Sequence, residues 1–125
     1  MKKTALIILA VVLVTACQNK HQQLQKEIEL HRTALKHHQD SALAASQKDV
    51  ERLDRELQQA SAEYQRLKKA ADAAHANGTG TAEQFKEVTF MRLKRDSLQA
   101  QFDATCSKIK YIRKRMEEDK EEKQP

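Results

Sequence analysis

Apolar residues are arranged in three different ways along this chain. An uninterrupted apolar run, Ala5 to Val14, comes first. From Leu43 onward they return every three or four positions, the period of one helix face. Leu43, Ser46, Val50, Leu53, Leu57, Ala60, Tyr64, Leu67, Ala71 and Ala74 make one such stripe. Phe85, Val88, Met91, Arg95, Leu98, Phe102, Thr105, Ile109, Ile112 and Met116 make a second. Alternating steps of three and four are the a/d seam of a coiled coil. The stretch before them is looser: Leu24, Ile28, His31 and Leu35 reach Leu43 only through successive steps of four. Such a stutter locally unwinds a coiled coil.

Punctuation is concentrated at Asn77-Gly78-Thr79-Gly80-Thr81, which holds both glycines of the chain. Glycine reaches positive φ without penalty and commonly ends a helix. Thr81 can cap the next helix, with Gln84 three residues on completing a capping box. No other Gly or Pro occurs between Ser46 and Gln124. Folded back at this turn, the two seams pair in order: Ala74 with Phe85, Ala71 with Val88, Leu67 with Met91, Ala60 with Leu98, Leu57 with Phe102, Val50 with Ile109 and Leu43 with Met116. The pattern predicts an all-α fold, an antiparallel two-helix coiled-coil hairpin over residues 40–120 with its turn at 77–81. A charged tail occupies 121–125. Arg95 interrupts the second seam opposite Tyr64, where its guanidinium can stack on the ring.

Composition agrees with a rod. A third of the residues are charged, aromatics make up 4%, and there are two Gly, one Pro and no Trp. That is the balance of long helices and coiled coils, which bury a narrow stripe in place of a broad core. The formal charge of +5 is unevenly placed. Its densest part is Lys108-Ile109-Lys110-Tyr111-Ile112-Arg113-Lys114-Arg115, and Glu117 onward is mostly acidic.

The start of the chain points to export. Met1-Lys2-Lys3 is basic, the apolar run follows, and Val14-Thr15-Ala16-Cys17 closes it. A charged start, about ten apolar residues and small residues before a cut site make a signal peptide, too short to stay as a spanning helix. Val14-Thr15-Ala16-Cys17 resembles the lipobox of bacterial lipoproteins. The resemblance covers residues 1–17. It implies that 1–16 are removed as a signal peptide and that Cys17 is acylated with fatty acid such as palmitate. Residues 17–39 then form a lipidated N-terminus and membrane-proximal helical stalk. Two or three acyl chains hold a protein firmly where one does not. Gln18 in place of Asp, by the enterobacterial sorting rule, implies the outer membrane, with the protein facing the periplasm. The chain is also similar to small helical envelope lipoproteins, including the murein type. It ends Lys123-Gln124-Pro125, without the terminal Lys through which the murein type joins the cell wall.

Few residues offer chemistry. His21, His31, His37 and His38 crowd the stalk, but no two stand three or four apart, the helical spacing that places two imidazoles on one metal. Signatures of a catalytic zinc, a serine nucleophile or a phosphate loop are missing from the sequence. Carboxylates alternate with Lys and Arg as helix-surface pairs, as around Asp49 to Glu56. Cys106 stands alone once Cys17 carries lipid. These features point away from enzymatic catalysis, cofactors, metals and nucleic acid, and toward a structural or protein-interaction spacer. The alternative is a module that holds an anionic envelope ligand through Lys108, Lys110, Arg113, Lys114 and Arg115. Phe90, Leu93 and Tyr111, with small residues between them, form a second seam on the second helix, beside the first. That stripe predicts self-association or contact with another envelope protein.

Overall fold

A computed structural model describes the backbone of residues 2–122 and the side chains of residues 15–122. The side chains of the apolar run and the last residues of the charged tail lie outside the described residues. Two helices account for the fold, α1 (Lys2–Ala76) and α2 (Ala82–Glu121). The chain divides into two compact units, residues 1–40 and 41–125.

In the first unit the backbone is helical, and every described side chain from Thr15 to His38 is exposed. Good helix formers and the lack of Gly or Pro keep the backbone regular there. Leu24, Ile28, Leu30 and Leu35 all face water.

The second unit is the antiparallel helical hairpin. Lys, Glu, Gln, Arg, Leu and Ala fill both helices, and exposed pairs one turn apart line their outer sides. Arg52 donates to Glu56 at 3.0 Å, and Gln58 and Gln99 donate to Asp54 and Asp103 at 3.0 Å. Such solvent-exposed pairs add little to stability. The hairpin is therefore held by its seam.

All ten α1 seam positions from Leu43 to Ala74 are buried or half-buried. Nine of the ten on α2 are as well. Leu53, Ala60 and Leu98 form the central cluster, with Leu57, Met91 and Phe102 packed against it. This is the register expected from Ala60 opposite Leu98 and Leu57 opposite Phe102. Ala60 and Ala71 are buried apolar residues of the seam. Small side chains there admit large ones from α2, which fills a narrow core. Ser46 occupies a seam position and is only 2% exposed. No buried side-chain nitrogen or oxygen among the described residues lacks a hydrogen-bond partner.

Phe85 is the exception. It holds a seam position at the turn end but stays 44% exposed. Its ring meets the edge of His75, with centroids 6.0 Å apart, beyond the Ala74 contact expected from the pattern. Alanine is too small to cover a phenyl ring, and the helices end a turn away.

The turn is closed by hydrogen bonds. Gly78 has φ +72°, and its N–H donates to the His75 carbonyl at 3.1 Å. The Thr79 N–H donates to Ala74 at 2.8 Å. These two bonds make a Schellman motif, which satisfies carbonyls that the helix end leaves free. Gly80 packs closely on the helix end: a Cβ there would lie 3.3 Å from the His75 Cα, a tight contact. Thr81 then caps α2. The Gln84 N–H donates to its hydroxyl at 3.3 Å, and the Thr81 N–H donates to the Gln84 side-chain Oε1 at 3.1 Å. The capping box expected from the sequence is complete.

Candidate attachment and interaction sites

Cys17 is exposed, and it is not joined to Cys106, which is half-buried. Its thiol stands on regular helix with nothing packed over it, so a modifying enzyme can reach it. Among the described residues no helix is long and apolar enough to cross a membrane.

The histidines stay apart. His21, His31, His37 and His38 are all exposed. His21 meets Gln25 at 3.3 Å between nitrogens. Among the described residues no group of three potential ligands could hold a metal.

The five basic candidates near the end of α2 are exposed but not gathered. Ile109 and Ile112, interleaved with them, point into the seam and are buried. At 100° per residue, Lys108 and Arg115 fall on one side of α2 and Lys110, Arg113 and Lys114 on another. Lys114 and Arg115 also lie near Glu118, at 3.9 Å and 3.4 Å. A single anion can therefore meet only part of the set, and Glu118 offsets part of its charge. The sequence run is dense because helix geometry is absent from it.

Arg95 does what its position suggested. Its guanidinium carbon lies 4.4 Å from the centroid of the Tyr64 ring, and its Nη2 donates to Asp96 at 2.9 Å. The cation is half-buried across the seam, with its charge satisfied at the edge. This is a packing role.

Phe90, Leu93 and Tyr111 are 67%, 60% and 64% exposed. The small residues between them, Ser97, Ala100, Ala104 and Ser107, are exposed as well. By helix geometry this stripe lies on the side of α2 turned away from α1, further round than a face merely adjoining the seam. Near the turn it opens into a shallow depression of about 620 Å³ lined by Ala82, Phe85, Lys86, Thr89, Phe90 and Leu93. Lys86 and Thr89 are members of this surface that the apolar pattern passed over. Lys86 stands four residues from both Ala82 and Phe90, and Thr89 stands four from Leu93, and this helical spacing carries the signal.

A second groove, about 470 Å³, runs between the helices and is bordered by Glu63, Arg66, Leu67, Lys86, Glu87, Phe90 and Met91. Leu67 and Met91, paired by the sequence pattern, share its floor. At its edge the Arg66 Nε donates to Glu63 at 2.9 Å. That hydrogen bond is the main reason the Glu63 carboxyl titrates below its usual range. It also raises Arg66, and Glu87 across the groove adds to the rise. Both side chains are exposed, so the pair decorates the groove without closing it.

The chain matches no protein-family description, no curated protein and no solved structure. Its class is that of an all-α helical hairpin.

Proposed function

We propose that this chain is a lipoprotein of a bacterial envelope, anchored through acylated Cys17, whose hairpin acts as a spacer or holds another protein. It performs no chemistry of its own. The outer membrane, facing the periplasm, is its proposed location. One observation carries the reading: a thiol follows Val14-Thr15-Ala16 at the end of an apolar run and is exposed on its helix. The seam of unit two supports the rest. It spends its large apolar residues on joining α1 to α2, and it leaves open, shallow grooves whose contents suit contact with a protein surface better than enclosure of a substrate. The basic residues of α2 contribute solubility and surface charge, since helix geometry disperses them and Glu118 pairs two of them.

Labelled fatty acid fed to cells expressing the full chain should enter the protein. Cys17→Ser should abolish both the label and the normal loss of residues 1–16. Equal labelling of the variant would sink the anchor. Envelope binding that survives high salt is expected for a protein contact, whereas steep salt dependence would restore the anionic-ligand alternative.

A further inference from the structure

The inner face of α2 is filled by α1, and the outer face is open. Leu93, Ser97, Ala100, Ala104, Ser107 and Tyr111 follow one another along it at steps of four and three, all exposed. In side-chain size the series runs large, then four small, then large, the same in both directions. An isologous interface needs such self-complementarity, because residue i of one copy meets j of the other and j meets i. We propose that a second copy of this chain docks on this face, α2 against α2 and antiparallel, about a two-fold axis between Ala100 and Ala104. This rests on the interaction reading above and names its partner.

Charge selects the orientation and register. With Ala100 opposite Ala104 of the second copy, Leu93 meets Tyr111 and Phe90 meets Lys114 of that copy, and Lys86 reaches its Glu118. In antiparallel pairs the flanking positions face their own kind across the interface. They bring Glu87 to Arg115 of the second copy and Asp96 to its Lys110, and symmetry repeats each pair. Like charges meet only where Lys94 faces Lys108 of the second copy and where Asp103 faces itself across the axis. A slide of one heptad sets Asp96 against Asp103 of the second copy, and the opposite slide presses Leu93 on its Glu118. A parallel pairing stacks Lys86 on its counterpart, does the same for Lys114, and brings Lys110 to Arg115. Electrostatic complementarity penalises such wrong registers more than it strengthens the right one.

Shape agrees with charge. The depression of about 620 Å³ around Phe85, Phe90 and Leu93 lies opposite residues 111–118 of the second copy, with its Tyr111 entering at the rim. Alanine and serine at the middle let the two backbones approach closely. Asp96 already pairs with Arg95, and Glu118 with Arg115, at the surface. Lysines from the second copy add to these groups without burying a lone charge. The Ser41 ends of the two hairpins then point in opposite directions.

The test uses the full chain in a Cys106→Ser background. Two tagged versions, one carrying Leu93→Cys and one carrying Tyr111→Cys, are co-expressed and oxidised. The mixed pair should form a disulfide-linked dimer well above the Cys106→Ser parent, which accounts for any contribution from Cys17. Leu93→Cys alone should not exceed that parent. A Leu93→Cys homodimer as abundant as the mixed pair overturns the antiparallel arrangement, and a mixed pair no stronger than the parent overturns the interface. In density-matched detergent, sedimentation equilibrium should show the Cys106→Ser chain as a dimer and its Phe90→Glu, Leu93→Glu variant as a monomer with unchanged helicity. A dimer indifferent to those charges also overturns it. Fatty-acid labelling does not depend on these results, so failure here and failure of the anchor are separable.

Discussion

Residues 15–38 and 43–74 belong to one helix and are built from much the same residues, yet their side chains live in different surroundings. Both carry Leu at helical spacing among Lys, Glu, Gln and Ala. Every described side chain of the first stretch is exposed, while all ten seam positions of the second are buried or half-buried. The difference is the partner. The α2 seam runs from Phe85 to Met116, and the register that places Leu98 on Ala60 ends with Met116 at Leu43. Leu24, Ile28 and Leu35 lie before the paired seam begins at Leu43, and all three are exposed. An amphipathic stripe is thus necessary for burial but not sufficient, since most helical stability comes from packing the apolar face.

Substitutions can break this comparison. Leu53→Ala removes the most buried leucine of the central cluster, and thermal or urea unfolding should show a loss of about 2–5 kcal/mol. Leu24→Ala should change stability by no more than about 0.5 kcal/mol, as surface substitutions do. Equal losses would mean that the first stretch is packed in solution.

The turn sharpens it next. Gly78→Ala forces a Cβ into the left-handed region at φ +72°, and the expected cost is about 1–2 kcal/mol by denaturant titration. Thr81→Ala removes the hydroxyl that accepts from Gln84, with about 1 kcal/mol lost in the same measurement. Both act only through the hairpin, so hydrogen exchange in residues 18–38 should not change.

The smallest effect concerns pH. Glu63 has a lowered folded-state pKa because Arg66 donates to it. Its contribution is therefore present above the ordinary carboxyl value, about 4.3, and is lost as pH falls through the lowered one. Melting of wild type and Glu63→Gln should differ slightly near neutrality and converge in acid. A difference that grows on acidification would contradict the assigned pairing.

Much of this was legible before any coordinates. Two seams with a common register, one glycine-bearing turn and Thr81 with Gln84 were enough to specify the hairpin, because helix periodicity and capping are local rules. Arg95 over Tyr64 followed from the same register. The basic run from Lys108 to Arg115 was legible as charge but not as an arrangement in space, because adjacent residues on a helix point 100° apart. Lys86 and Thr89 carry no apolar signal beside Phe90, since a pattern of apolar positions passes over the polar residues that complete a surface.

By itself, the sequence determined two helices, their direction, their register and the residues that join them, together with the Val14-Thr15-Ala16-Cys17 motif. Only the tertiary structure decided which faces remain open. It left Phe85 partly exposed at the turn and kept Phe90, Leu93 and Tyr111 in water. The physical reason is that periodicity records which residues share a face, while exposure depends on what lies across from that face in space.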